Sequence, residues 1–289
     1  MTDAEPLVVT QPGIYPGLSD ADYHRDAVPG GSLSSTGARK LLPPSCPALY
    51  RHWADNPQPP RAHFDFGHAA HREVLGAGAE VAVIDAPDWK TKAARDERDA
   101  ARAAGLVPLL PPEYERVKAM AAALREHPIA SVLFNHAHGE PEQSLFWIDE
   151  PTGVWCRARV DFMPHPGRGR RLVVPDYKST DSVAPDDIAR SVYRYGYHIQ
   201  DAFYSRGIRA LGLADDVAFV FVFQAKEPPY LVTVAEVDPT AKAIAGRLVD
   251  DALRTYAECT AAGHWPGFSD DVELISLPRW AERQYEQEF

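Results

Sequence analysis

The amino-acid sequence predicts a mixed α/β fold, in which an antiparallel hairpin comes first and a helical crossover follows. Three observations predict it. Residues 144–149 and 154–163 have the pattern of two strands on either side of a turn-forming Glu-Pro-Thr-Gly segment. A third strand over 171–178 is followed by one long helix over 185–211. The segment 217–225 is almost wholly apolar, which is typical of a strand covered on both faces.

Helices are predicted before and after these strands. A compact helix over 64–75 precedes the hairpin. Pro111 and Pro112 begin another helix, whose apolar residues recur at helical spacing. Asp238-Pro239 caps a last helix, which ends before Gly263. The core order is therefore αβββαβ, a mixed central sheet flanked by helices, with N- and C-terminal additions.

The composition excludes several classes of protein. Hydrophobic residues make up 45% of the 289, yet no run approaches the roughly 18 apolar residues of a membrane span. The N-terminus lacks the pattern of a signal peptide, so a cytoplasmic location is expected. Cys46, Cys156 and Cys259 are too scattered for a disulfide framework or a closed zinc site. No P-loop motif is present, so ATP is not an expected cofactor.

The charge is unevenly distributed along the chain. The net charge of -11 argues against a general binder of polyanions, because phosphate contacts need Lys and Arg. Residues 151–210, however, hold ten Lys and Arg against six Asp and Glu, a local balance of +4. A basic path through an acidic protein and chance clustering on a solvated face both explain this distribution.

The third strand carries an acid and an amine on one face. Side chains alternate along a strand, so Asp176 and Lys178 project together and Tyr177 projects to the other side. The carboxylate can hold a hard cation such as Mg²⁺. The ammonium can orient a water and neutralise charge that develops on a phosphate in the transition state. Taken alone, an exposed ion pair at a strand end is the simpler explanation.

The preceding strand supplies a second carboxylate, that of Asp161. If the strands that carry Asp161 and Asp176 pair, joined by the Gly/Arg loop at 164–170, both carboxylates can converge on one ion. An Asp at the end of an apolar strand is often only a turn residue. The conjunction of Asp161 with the Asp-x-Lys pair is what favours a metal-dependent site.

Two further elements supply polar side chains. Gln200 and Tyr204 lie four apart on the predicted long helix and share a face, which Tyr193 and Tyr197 extend. This face lies beside a predicted buried stripe that includes Tyr195. The amide and phenol can hydrogen-bond a phosphate, or they can form the polar border of a packed helix.

His71 and Glu142 are weaker candidates by themselves. His68 and His71 are three apart on a helix, but no second ligand pair with zinc spacing accompanies them. Glu142 is predicted to precede the first strand, where it could add an acid to the same cleft or serve as a solvated strand entry.

The motifs together, in their order along the chain, resemble the nuclease domain of exodeoxyribonuclease VIII, the RecE type, in the PD-(D/E)XK nuclease superfamily. The resemblance spans nearly the whole chain. It is carried by Gly67 to His71, Glu142, Cys156-Arg157-Ala158-Arg159 with Asp161, Asp176-Tyr177-Lys178-Ser179-Thr180, the run 197–204, Gly13-Ile14-Tyr15, Asp22-Tyr23-His24, Pro47 to Tyr50 and Ser276 to Ala281. Ala70 and His68 depart from the residues expected beside the histidine.

The resemblance implies a role for each site residue. His71, Asp161, Asp176 and the backbone carbonyl of Tyr177 would be ligands of Mg²⁺, for which Mn²⁺ would substitute. Lys178 would act on the attacking water. The remaining implied roles are an acid near the metals for Glu142, phosphate contacts for Gln200 and Tyr204, and DNA contacts for Arg157, Arg159, Arg194 and Tyr197.

The resemblance also implies an activity and partners. It predicts a 5′→3′ exonuclease that digests linear double-stranded DNA and leaves 3′ single-stranded tails, which an annealing protein would use in recombination. A homo-oligomeric ring and a phage or prophage origin are expected. An endonuclease of the same fold and a nuclease-like module that binds DNA without cutting remain alternatives. An iron–sulfur cluster is not expected, because it needs four thiols and the chain has three cysteines.

The chain is accordingly predicted to be one nuclease domain over 1–289. Its parts are an N-terminal extension that wraps the core (1–63), a catalytic core (64–238) and a C-terminal helix and tail (239–289). It lacks the long N-terminal region of the best-known family member, which suits a free-standing nuclease domain.

Overall fold

The computed structural model describes residues 7–56, 65–165 and 171–286. These residues form both helices and strands. The strands are β1 (Gly13–Tyr15), β2 (Leu33–Ser34), β3 (Val81–Val83), β4 (Val107–Leu109), β5 (Gly139–Ile148), β6 (Trp155–Pro164), β7 (Leu172–Thr180), β8 (Val217–Ala225) and β9 (Val232–Glu236). The helices are α1 (Asp20–Arg25), α2 (Ser35–Leu41), α3 (Pro47–Asp55), α4 (Asp65–Leu75), α5 (Lys92–Ala103), α6 (Pro111–Glu126), α7 (Ala130–Leu133), α8 (Pro185–Tyr195), α9 (Tyr197–Ala210), α10 (Pro239–Ala262) and α11 (Arg279–Glu286).

The central strands form two hydrogen-bonded groups. One has the order β1-β5-β6-β2, in which β5 and β6 are the predicted antiparallel hairpin. The other has the order β7-β8-β9, in which β7 and β8 are parallel and β8 and β9 are antiparallel. Because a parallel pair needs a crossover, α8 and α9 carry the chain from β7 to β8. The predicted mixed α/β fold is thereby confirmed.

The two strands that carry Asp161 and Asp176 are neighbours without pairing. In the described residues β6 pairs with β5 and β2, whereas β7 pairs with β8. Direct pairing of these two strands, the condition considered for the convergence of Asp161 and Asp176, is therefore not met in the described residues. Most of the predicted connecting loop, residues 166–170, lies outside the described residues.

The first strand of the hairpin begins earlier than predicted. β5 begins at Gly139 rather than near residue 144, so Glu142 lies inside the strand and not before it. At its other end the hairpin turns through Gly153, whose φ is 70°, a conformation that glycine adopts without strain. Turn residues identify the sharp end of a hairpin well, whereas the polar run at 139–143 gives no sign that these residues pair with β6.

The predicted single helix over 185–211 is two helices. Gly196 adopts a left-handed conformation (φ 72°, ψ 32°) that ends α8 and begins α9. The change of direction leaves Tyr195 50% exposed, so it does not belong to the buried stripe. Tyr193 is 83% exposed and does not continue the face of Gln200 and Tyr204. Helical spacing predicts a common face only while the helix continues.

Apolar side chains from both strand groups meet helices on either side. The larger core packs α9 and α10 against the sheet through Phe203, Phe219 and Leu253. A second core lies under α4 and α6 and includes Met120 and Tyr177. In the described part of the chain, no helix is both long enough and apolar enough to cross a membrane.

Candidate active site

Glu142 and Asp161 face each other across the hairpin. Pro141 pairs with Phe162, and Gln143 pairs with Val160, so the register places the two acids opposite one another. Like charges directly opposite are unfavourable, and the φ of Glu142 is 49°, in the left-handed region. Backbone strain of this kind is concentrated at functional sites in proteins.

The imidazole of His71, on α4, lies between these two carboxylates. Its Nδ1 is 3.5 Å from Glu142 Oε1, and its Nε2 is 3.2 Å from Asp161 Oδ1. Burial lowers the pKa of His71, but the charges of Asp161 and Glu142 outweigh burial and raise the pKa above its ordinary value. The histidine therefore holds together two carboxylates that would otherwise repel each other.

Asp161 also connects the two groups of strands. Its Oδ2 accepts a hydrogen bond of 2.7 Å from the backbone N–H of Tyr177, on β7. The Tyr177 ring points to the opposite side, where its hydroxyl donates to Gln224 Oε1 at 2.8 Å. A carboxylate thus takes the place of a strand-to-strand hydrogen bond between β6 and β7, and brings Asp161 next to the Asp-x-Lys pair.

Asp176 and Lys178 form an ion pair on the other face of β7. Asp176 is fully buried, and the Lys178 ammonium contacts its Oδ2. Gln200, on α9, donates from Nε2 to the other oxygen, Oδ1, at 2.6 Å. The structure therefore places Gln200 against the Asp-x-Lys strand. Both oxygens of Asp176 therefore have a polar neighbour, although Oδ2 accepts no well-directed hydrogen bond.

The two aspartates differ in their affinity for protons. Burial and then the negative charge of Asp161 raise the pKa of Asp176 to about 6. Burial also acts to raise the pKa of Asp161, but His71 and Lys178 outweigh it and leave that pKa below its ordinary value. Burial lowers the pKa of Lys178, whereas Asp176 and Asp161 raise it further, so the amine is a cation. The site thus concentrates negative charge around a single ammonium.

A cleft of about 640 Å³ opens onto these groups. His71, Glu142, Asp161, Lys178 and Tyr204 all line it. The sequence prediction missed its N-terminal wall, which the Ser-rich region before α3 could have suggested. That wall consists of Asp20, Tyr23, His24, Ser34, Ser35, Thr36 and Trp53.

The four residues predicted to contact DNA lie in different surroundings. Arg157 contacts Asp26 and donates to the carbonyl of Ser32 at 2.6 Å, which fixes the N-terminal segment to β6. Arg159 lines the cleft, and it also donates to the carbonyl of Leu18 at 2.7 Å. Tyr197 lies 5.1 Å from Lys178 Nζ, measured to the ring centroid. Arg194 is exposed on α8.

The donor atoms suit a hard divalent cation. Carboxylate oxygens and one imidazole nitrogen are ligands for Mg²⁺ or Mn²⁺, and Asp176 Oδ2 is buried without a directed hydrogen bond. Within the described residues, however, no group of three or more His, Cys, Asp or Glu side chains is arranged to hold a metal ion as it stands. His71 and Lys178 instead pair with the carboxylates, so a bound cation would have to replace those contacts.

An Asp-x-Lys strand beside a second aspartate from the preceding hairpin, on a mixed α/β core, is the arrangement of the PD-(D/E)XK nuclease superfamily. The family model described as "PDDEXK-like domain of unknown function (DUF3799)" matches residues 52–278. The chain therefore belongs to this family.

A solved structure shows a similar fold. A crystal structure described as "Putative exonuclease" from Eubacterium rectale superposes with a TM-score of 0.57, at 11% identity, over 92% of this chain and 96% of that one. The crystal structure of SSO0001, 17% identical over 66% of this chain and 84% of its own, gives a TM-score of 0.27, which is too low to support an argument. Comparison with curated proteins returned no match.

Proposed function

We propose that the chain is a divalent-metal-dependent deoxyribonuclease that removes nucleotides from the 5′ ends of linear double-stranded DNA and leaves 3′ single-stranded tails. The observation that carries the proposal is the ion pair of the buried Asp176 with Lys178, beside Asp161, where Lys178 and Asp161 line an open cleft. The nuclease superfamily supports hydrolysis of a phosphodiester. The RecE-type motifs and the exonuclease description of the Eubacterium rectale protein support action at DNA ends.

Each side chain has a role in this proposal. Lys178 orients the attacking water and neutralises charge on the phosphate, because its ammonium stays protonated beside Asp176 and Asp161. Gln200 fixes the orientation of Asp176 through its 2.6 Å hydrogen bond.

His71, Asp161, Asp176 and the Tyr177 carbonyl would hold the cation, with Glu142 close by. A bound divalent ion supplies Lewis acidity and lowers the pKa of a coordinated water.

The test compares substrates that differ only in their ends. The purified protein is incubated with linear duplex DNA and with the same DNA as a closed circle, with Mg²⁺, with Mn²⁺ and with EDTA. Early release of a 5′ label from the linear form alone, dependent on the cation, is expected. Early release of a 3′ label would give the opposite polarity. Cleavage of closed circles would show an endonuclease, and binding without cleavage would show a non-catalytic module.

A ring-shaped homo-oligomer and an annealing protein that receives the 3′ tails also belong to this proposal. Support for both comes from the RecE-type motifs alone. Sedimentation of the free protein at several concentrations tests the first, because a ring requires a closed species of defined mass. A species that stays monomeric throughout would exclude the ring.

A further inference from the structure

Three aromatic rings form a line from the core to the surface beside Lys178. Phe221 and Tyr197 are stacked, with centroids 5.4 Å apart and planes at 29°. Tyr197 and Tyr195 follow at 5.6 Å and 32°. Phe221 is fully buried, and Tyr195 at the outer end is 50% exposed. We call these three residues the aromatic stack.

The aromatic stack is continuous with the candidate active site. The Lys178 ammonium lies 5.1 Å from the centroid of Tyr197 and 6.0 Å from that of Phe221. Tyr197 is therefore a neighbour of the group that would act on the phosphate, and Tyr195 is one ring further out. A flat group seated on Tyr195 would lie two ring contacts from Lys178.

The outer ring is held in position by the backbone around it. Gly196 turns the chain between Tyr195 and Tyr197, and its left-handed φ of 72° is one that glycine adopts readily. Arg39, on α2, donates from Nη1 to the carbonyl of Tyr195 at 3.1 Å. The backbone that carries the Tyr195 ring thus has a fixed place beside Tyr197.

Charge beside the outer ring suits an anionic chain. Arg194 is exposed, and its guanidinium carbon lies 5.7 Å from the centroid of Tyr195. Arg39 is exposed as well. Guanidinium groups beside an exposed ring are the features that bind single-stranded nucleic acid, since the ring stacks with a base and the cations contact the phosphates.

We propose that Tyr195 is a base-stacking subsite, which holds an unpaired nucleobase of single-stranded DNA at the outer end of the aromatic stack, with Tyr197 between it and Lys178. The subsite rests on the proposed function, and it names the form of the substrate at the active site, a strand whose bases are already separated. A base inside a duplex is stacked between its own neighbours and offers no free face to Tyr195. Tyr195 would therefore receive a base at the end of the strand, and the proposal is that this base is unpaired.

Binding of single-stranded DNA tests the subsite without any cleavage. A fluorescently labelled oligodeoxythymidine is titrated with the full chain in EDTA, and anisotropy gives Kd. Tyr195→Ala is expected to raise Kd about five- to a hundredfold, the range for loss of one base–aromatic stack. Tyr195→Phe keeps the ring and is expected to bind within about twofold of wild type.

Tyr193→Ala is the matched control. It removes the same side chain from the same helix, where the ring is 83% exposed and belongs to no part of the aromatic stack. It is expected to bind like wild type. Equal Kd values for Tyr195→Ala and Tyr193→Ala would overturn the subsite, as would failure of the wild-type chain to bind the oligonucleotide.

Oligonucleotides with one abasic position identify the stacked base independently of any variant. At one position, loss of the base is expected to weaken binding to wild type and to leave binding to Tyr195→Ala unchanged, which a double-mutant cycle measures. A uniform small effect at every position would overturn the proposal. Cleavage of linear DNA is assayed separately, so a protein that cuts normally but shows no coupling loses only the subsite. A protein that cuts nothing loses the proposed function.

Discussion

The two faces of helix α9 each hold a buried aspartate with a lysine. On one face, Gln200 donates to Asp176, which contacts Lys178. On the other, Asp201 accepts a hydrogen bond of 3.1 Å from Ser205 and lies 3.7 Å from the ammonium of Lys242. Burial raises the pKa of both aspartates. By burial and partner type alone, the two clusters are nearly the same.

The clusters differ in how strongly a second carboxylate acts on the aspartate, because Glu236 is only a minor cause of the raised pKa of Asp201. Asp176 has a second carboxylate, Asp161, as the next largest cause of its raised pKa. The closest acid to Lys242 is Glu236, whose Oε1 lies 2.6 Å from the Lys242 ammonium. Lys242 therefore pairs with Glu236 as well as with Asp201. The cavity beside Asp201 is about 260 Å³, against about 640 Å³ for the cleft. A buried Asp–Lys pair is therefore an ordinary structural feature, and converging carboxylates at an open cleft are what indicate chemistry.

The largest expected effect is a difference in DNA cleavage between variants of Lys178 and Lys242. Lys178→Ala should reduce cleavage of linear DNA by at least about a hundred- to a thousandfold, because the cation beside the reacting phosphate is lost. DNA binding should largely survive. Lys242→Ala should leave the cleavage rate within about twofold of wild type, since it touches no part of the cleft. Initial rates and anisotropy measure both, and a fully active Lys178→Ala would contradict the mechanism.

A smaller effect is expected for the helix residues that hold each aspartate. Gln200→Ala should lower kcat about tenfold, because Asp176 loses a 2.6 Å hydrogen bond that fixes its orientation. Ser205→Ala removes the corresponding hydrogen bond to Asp201 and should not change kcat. Steady-state kinetics at saturating DNA distinguish them. Equal losses in both variants would indicate that α9 acts through stability alone.

Replacing two glycines by alanine should change the stability of the fold in opposite directions. Gly196 has a φ of 72°, and a Cβ there would lie 2.6 Å from Arg39 Cδ, so Gly196→Ala should destabilise the fold by about 1–2 kcal/mol. Gly246 lies within α10 and lines the smaller cavity, the one beside Asp201. A Cβ at this position would meet open space. Gly246→Ala should stabilise the fold by about 0.5–1 kcal/mol. Urea unfolding measures the free energy of unfolding of both variants. A change of the same sign in both would contradict the prediction.

The smallest effect is a pH dependence of stability at Asp201. Its folded-state pKa is raised from the ordinary 3.8 by burial, so between that value and the raised one the folded chain binds more protons than the unfolded chain. Stability therefore falls as pH rises through this window, and the full penalty remains above it. Asp201→Asn removes the ionisation. Its Tm relative to wild type should increase from about pH 4 towards neutrality, and a difference independent of pH would contradict this.

Local sequence signals predicted the elements well wherever the partner of a residue lies nearby. The hairpin over β5 and β6, the strand with Asp176 and Lys178, and α10 between its Asp238 cap and Gly263 are all present. Their alternation, turn residues and caps act within a few positions of the chain. Helical spacing places Gln200 and Tyr204 on one face of the helix, but the contact of Gln200 with Asp176 joins two different elements and depends on the fold.

Other features depend on residues far apart in the chain. Gly196 divides a helix whose apolar spacing continues across it, and Arg39 packs against that position from α2. DNA contacts remain a prediction for Arg157 and Arg159, and the sequence did not show that Asp26 and Asp20 of the N-terminal segment pair with them. The sequence identifies a charged side chain, but it does not identify the group with which that side chain pairs.

The sequence by itself determined the αβββαβ order, the Asp-x-Lys strand and the set of residues available for the site, because periodicity and motif spacing are local properties. Only the tertiary structure decided how those residues meet. It placed Glu142 opposite Asp161 with His71 between them, and it joined β6 to β7 through a carboxylate. It also placed Tyr197 beside the Lys178 ammonium, with Tyr195 one ring further out. Burial and the mutual approach of charges fix these contacts, and both depend on the whole fold.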